Sequence, residues 1–177
     1  YNEDVVKVMA DCCAKIASAE FMQIDHVLNL ATSPEDYLEI VKGKTAGPFA
    51  AAAKGAAMVA DLGSSESNKL FEFGMELGIA FQLVDDLLDV VGDERIGKPR
   101  GIDVYEGKMT LPLIHALTIL HGDEREELES IITNFDDSKF ERLIQLLEIG
   151  GSINYSEILV NNHLERASNY LEEFDDC

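Results

Sequence analysis

Apolar residues recur along this chain at the three- and four-residue spacing of helices, and no run alternates as a strand would. The pattern predicts a first helix from about Glu3 to Leu30, with Val5, Val8, Met9, Ile16, Phe21, Ile24 and Leu28 turned inward. Thr32-Ser33-Pro34-Glu35 then stops the chain and restarts it, with Ser33 suited to an N-cap and Pro34 to the first helical position. A second helix carries Tyr37, Leu38 and Val41, and Pro48 predicts a kink or break before the Ala-rich stretch beyond it. Asp61-Leu62-Gly63-Ser64-Ser65 closes that unit, and a third helix runs from about Ser65 to Val91. Between Leu77 and Val91 it is apolar on nearly every face, which predicts a place at the centre of the protein. A polar, Gly-rich loop spans Asp93 to Lys108, and further helices fall near 111–120, 124–132, 138–148 and 155–174. One all-α domain over residues 1–177 is the expectation.

Composition narrows the function classes. The charge is −20, from 14 Lys plus Arg against 34 Asp plus Glu. Such a polyanion repels nucleic acid and anionic lipid, so neither is an expected partner. With 46% hydrophobic and 27% charged residues, a folded core is expected. No apolar run reaches a membrane span, because Ala46 to Ala60 is broken by Lys54. Cys12, Cys13 and Cys177 lack metal or redox spacing and read as unpaired thiols of a reducing cytoplasm. Tyr1-Asn2-Glu3-Asp4 is acidic where a secretory leader is basic. The first residue is not Met, so a piece of a longer sequence is expected.

Chemistry gathers on the third helix. Asp85, Asp86 and Asp89 form D-D-x-x-D, with Asp85 and Asp89 one turn apart on one face and Gln82 extending the stripe. A solvated acidic edge is the ordinary reading of such a triplet. Here Leu83, Val84, Leu87, Leu88, Val90 and Val91 leave little solvated face, so a positive group must offset the acids. Oxygen donors without His or Cys point to a hard cation, magnesium or calcium, and no EF-hand loop favours calcium. Four of the scarce cations, Arg95, Lys98, Arg100 and Lys108, lie within the 14 residues from Arg95 to Lys108. An even spread would put about one there. Lys42, Lys44 and Lys54 form a second group around Pro48. Metal-binding carboxylates beside lysines on Gly-rich loops suit an anionic phosphate ligand. His26, His115, His121 and His163 show no paired spacing and are expected to be structural. Gly74-x-x-x-Gly78 reads as a close helix contact, and Phe49, Phe71 and Phe81 as core before substrate lining.

The segments Gly78-Ile79-Ala80-Phe81-Gln82-Leu83-Val84-Asp85-Asp86-Leu87-Leu88-Asp89, Gly97-Lys98-Pro99-Arg100-Gly101-Ile102-Asp103 and Gly107-Lys108-Met109-Thr110-Leu111-Pro112-Leu113 together resemble the trans-isoprenyl diphosphate synthases. Glu20-x-x-Gln23, Tyr37-x(6)-Lys44-Thr45 and Gly151-Ser152-Ile153-x-Tyr155 fit the same pattern. The match is to the second aspartate-rich motif and the lysine-bearing segments after it. It therefore implies the C-terminal portion of an antiparallel helical bundle of the isoprenoid synthase type, incomplete at its N-terminus. The family's first aspartate-rich motif and basic Gly-Lys-Arg segment have no counterpart here. The resemblance implies magnesium-dependent condensation of an allylic diphosphate with isopentenyl diphosphate, manganese being a substitute metal, and a chain inactive by itself. It implies a homodimer. Asp85 would ligate the metal directly, with Asp86, Asp89 and Asp103 assisting directly or through water. Lys44, Lys98 and Lys108 would hold the allylic diphosphate; Lys44, Thr45 and Gln82 would be the catalytic residues, with Thr45 and Gln82 lining the cation and their oxygens stabilising its positive charge. The departing diphosphate would take the proton. A catalytically silent helical partner subunit and a class I terpene cyclase are the alternatives; the lysine segments after the acidic helix speak against the cyclase.

Overall fold

The structure, a computed structural model, describes residues 3–92, 100–172 and 174, and among them contains helices and turns with no strand. The elements are α1 (Glu3–Asp25), α2 (Pro34–Val41), a π-helical turn (Lys42–Ala46), α3 (Gly47–Val59), α4 (Ser64–Val91), α5 (Ile102–Tyr105), α6 (Leu111–Ile119), α7 (Gly122–Thr133), a 3-10 turn (Asp137–Lys139), α8 (Phe140–Ile149) and α9 (Ser152–Leu171). The described residues fall into two compact units, one of 3–22, 38–82 and 159–172 and one of 23–37 and 83–158. Helix α4 runs through both.

The first unit is held by small residues. A Cβ placed on Gly74 would lie 2.7 Å from the Cα of Ala50, and one on Gly78 would lie 2.5 Å from the Cα of Ala46. The Gly74-x-x-x-Gly78 pair is therefore the close helix contact expected, with α4 backbone resting on the segment that leads into α3. That segment does not break at Pro48. The backbone N–H of Gly47 instead bonds to the carbonyl of Lys42, five residues back, and Pro48 enters in the first turn of α3. The wider π turn accommodates a residue that has no N–H and whose ring crowds the carbonyl four residues earlier.

Helix α1 departs from expectation. It ends at Asp25, not Leu30, and of its residues only Ala19 is buried. Ala19 lies so close to the π turn that a Cβ on Gly43 would stand 2.7 Å from its own. Phe21, two residues on and about 200° round the helix, is 71% exposed, and Ile24 is 65% exposed. Met9 and Leu28 also face solvent. Helix α4 is likewise not covered on every side: Ile79, Ala80, Leu83, Leu87 and Val90 are buried, whereas Phe81, Val84, Leu88 and Val91 form an exposed apolar stripe. Phe81 is thus outside the core, its ring 5.3 Å from that of half-buried Phe49, and Phe71 is half-buried too.

In the second unit Ser33 caps α2 as expected. Its hydroxyl accepts the N–H of Asp36 at 3.1 Å, while the Asp36 carboxylate accepts the N–H of Ser33 at 3.0 Å. Those bonds hold the Asp36 carboxyl below its usual range, the backbone N–H of Ser33 contributing most. Leu111, Leu113 and Ile114 of α6, Leu128 and Ile132 of α7, and Leu143, Leu146 and Leu147 of α8 build the core of this unit. The short helix α5 lies inside the segment that reads as loop, and α9 begins at Ser152, earlier than the spacing suggests.

Candidate active site

In the first unit, the π turn presents Lys44 and Thr45. The Thr45 hydroxyl donates to Oε1 of Gln82 at 2.8 Å. Lys44 Nζ lies 3.0 Å from Oε1 of Glu20, a part-exposed ion pair. Three residues expected to act together, Lys44, Thr45 and Gln82, therefore share this unit, two of them in direct contact.

The second unit contains the acidic motif. Asp86 and Asp89 are buried, 3% and 1% exposed, while Asp85 is part-exposed. The Tyr37 hydroxyl, itself buried, donates to Oδ2 of Asp86 at 2.6 Å. Burial, then the charge of Asp86, and then those of Asp103 and Asp85 push the Tyr37 phenol well above its usual value, so it stays protonated and donating. Asp89 accepts the backbone N–H groups of Ile102 and Asp103 at 3.1 Å each. Asp103 in turn sits 2.8 Å from Lys108 Nζ, which also reaches Glu106 at 2.7 Å. Burial alone would lower the Lys108 ammonium, but the two carboxylates outweigh it and hold the pKa well above normal. Lys108 is a permanent cation paired with Asp103, whose backbone N–H reaches Asp89 of the acidic helix.

Lys98 and Arg95 lie outside the described residues. Arg100 is described: it stacks on the Phe140 ring, its guanidinium carbon 4.9 Å from the centroid. Among the described residues no three His, Cys, Asp or Glu side chains converge closely enough to hold a metal by themselves. The donor set nevertheless fits a hard cation of the magnesium type, which takes one or two carboxylates and completes its shell with water and phosphate oxygens. His26, His115 and His163 have other contacts: Nδ1 of His26 lies 2.9 Å from Thr32 Oγ1, Nδ1 of His115 lies 2.9 Å from Ser152 Oγ, and Nδ1 of His163 lies 2.5 Å from Glu76 Oε2. In the sequence Tyr37 is only a spacing landmark, and nothing there signals its bond to Asp86. Replacing Tyr37 with Phe is expected to lower stability by about 2 kcal/mol, because a buried charged acceptor loses a short donor. Chemical denaturation measures this, and an unchanged midpoint contradicts it.

A family model described as polyprenyl synthetase matches residues 1–149. The chain belongs to that family. It is 34% identical to a short chain isoprenyl diphosphate synthase of Methanothermobacter thermautotrophicus over 98% of this chain and 54% of the relative. Among solved structures, a decaprenyl diphosphate synthase from Rhodobacter capsulatus superposes with a TM-score of 0.92 at 32% identity, covering 99% of this chain and 55% of that one. A polyprenyl synthase from Caulobacter crescentus, complexed with calcium and isoprenyl diphosphate, gives a TM-score of 0.92 at 33% identity over 98% of this chain and 54% of that one. The all-α fold of the isoprenoid synthase type is thereby shown, as the acidic motif and lysine segments led one to expect. The chain spans about half the length of the relatives it matches. No helix among the described residues of this polyprenyl synthetase family member is long and apolar enough to cross a membrane.

Proposed function

We propose that this chain is cytoplasmic, supplies the second-aspartate half of a trans-prenyl diphosphate synthase site, and does not turn over alone. The observation that carries the reading is the grouping in one unit of part-exposed Asp85, buried Asp86 and Asp89, and a charged Lys108 held by Asp103. The substrates are an allylic diphosphate and isopentenyl diphosphate. In ionising the allylic ester, negative charge builds on the leaving diphosphate, and cations placed there lower the barrier. Asp85 would take a magnesium ion (or manganese), with Asp86, Asp89 and Asp103 supporting it. When bound, that ion supplies Lewis-acid stabilisation of the diphosphate oxygens. By the resemblance, Lys44, Lys98 and Lys108 would each serve the diphosphate, and the oxygens of Thr45 and Gln82 would stabilise the allylic cation without attacking it. The released diphosphate accepts the proton, so no histidine base is required.

Isothermal titration of the chain with inorganic pyrophosphate tests the substrate class. Binding that requires magnesium is the expected result, and equal heat with and without the metal contradicts the reading. The exposed residues Phe21, Ile24, Phe81, Val84, Leu88 and Val91 support a second proposal, that the chain works as a homodimer. Sedimentation velocity is expected to show self-association; a sharp monomer would oppose it.

A further inference from the structure

Three successive backbone N–H groups end on Asp89. Gly101 donates to its carbonyl at 2.9 Å, Ile102 to Oδ1 at 3.1 Å and Asp103 to Oδ2 at 3.1 Å. The acceptor belongs to α4, and the donors open α5, a helix of four residues whose own N-cap, Gly101, offers no side chain and has φ of 75°. A helix that short has no stability of its own. Asp89 supplies from another helix the acceptors that the first amides of α5 need. The far end of the segment is fastened too. Lys108 N–H bonds to the Asp103 carbonyl at 2.9 Å, and the Gly107 carbonyl accepts the N–H of Leu28 at 2.8 Å. Lys108 Nζ then closes on Asp103 Oδ1.

We infer that Asp89 is a positioning residue for Lys108: it anchors the Gly101–Lys108 segment, and through Asp103 fixes where the ammonium stands. The inference rests on the assignment of Lys108 to diphosphate oxygens. It gives the third aspartate of the motif a different duty from Asp85. Both carboxylate oxygens of Asp89 face backbone amides, and the side chain is 1% exposed. A lysine has three rotatable donors on a flexible stem, and a fixed partner removes most of that freedom before the ligand arrives.

The test combines Asp89→Asn, Lys108→Ala and the double variant in the full chain, read by amide hydrogen exchange and by titration with inorganic pyrophosphate and magnesium. In Asp89→Asn the amides of Ile102, Asp103 and Lys108 are expected to exchange at least about tenfold faster with or without the metal, since one acceptor oxygen becomes a donor. Pyrophosphate affinity is expected to fall about tenfold, in the range of lost orienting partners. Removing a negative charge would by itself favour an anion, so this loss runs against simple electrostatics. Adding Lys108→Ala to Asp89→Asn is expected to cost little more, because the first change has already released the lysine. Unchanged exchange at those amides, or losses that multiply in the double variant, would overturn the inference. A wild-type chain that binds no pyrophosphate defeats the diphosphate reading instead, and unaltered exchange at Lys108 then defeats the positioning claim separately. Should Asp89→Asn not fold, Asp89→Ser keeps one acceptor, and the same amide and coupling outcomes decide.

Discussion

Gly78→Ala should unfold well below the native protein, although alanine is the better helix former. The new methyl would stand 2.5 Å from the Cα of Ala46 and 3.0 Å from its Cβ. Those neighbours are backbone and a methyl with no rotamer to yield, so α4 must move off the π turn. Overpacking of this kind costs about 1–3 kcal/mol or more, against a propensity gain of about 1 kcal/mol. A fixed backbone contact places Gly78 at the upper end, and the net expectation is a loss of about 2 kcal/mol. For a chain of this size that is about 4–8 °C in Tm. Calorimetry checks it, and an equal or higher Tm would show that α4 and the π turn can separate at no cost. The consequence reaches function, because α4 backbone against the π turn is what brings Thr45 to Gln82.

The largest effect on activity is expected from Asp85→Asn. The residue is part-exposed and the change is isosteric, so Tm should shift by no more than about 1 °C. In a synthase containing both aspartate-rich halves, turnover should fall about 100-fold or more, with a higher magnesium requirement, because the charge proposed to attract the metal is gone. Asp86→Asn provides the contrast. Asp86 is 3% exposed and accepts the Tyr37 hydroxyl at 2.6 Å, so its neutralisation should register first as lost stability. Steady-state kinetics with magnesium varied, beside thermal melts, separates the two. Equal kinetic losses with equal melting losses would mean that the buried and part-exposed aspartates have no such division of labour.

Much of this was legible from one sequence, for reasons that differ by element. Helix α4 was readable because its periodicity is long, and the N-cap at Ser33 because its partner is three residues away. Gly74 and Gly78 signalled a close contact because nothing but backbone proximity rewards two glycines one turn apart in a helix. The π turn was not legible. Pro48 announces that the hydrogen-bond ladder must change, but whether it breaks or widens depends on what packs against it, here Ala19 and α4. The inward face of α1 is not legible, because periodicity fixes a stripe but not which side of it meets neighbours; small Ala19 is buried and bulky Phe21 is exposed. The acidic motif showed its residue types plainly. Its partners lie at sequence separations no spacing rule reaches: Tyr37 for Asp86, and the amides of Ile102 and Asp103 for Asp89.

The most direct measurement is consumption of isopentenyl diphosphate in the presence of geranyl diphosphate and magnesium. It compares this chain alone with the chain extended by a half-domain that carries the first aspartate-rich motif. No turnover is expected from the chain alone. The extended form is expected to elongate the substrate with magnesium present, and to lose that activity when Lys108 and Asp85 are both replaced. An extended, folded protein that never consumes the substrate would contradict this and leave a silent partner subunit as the better description.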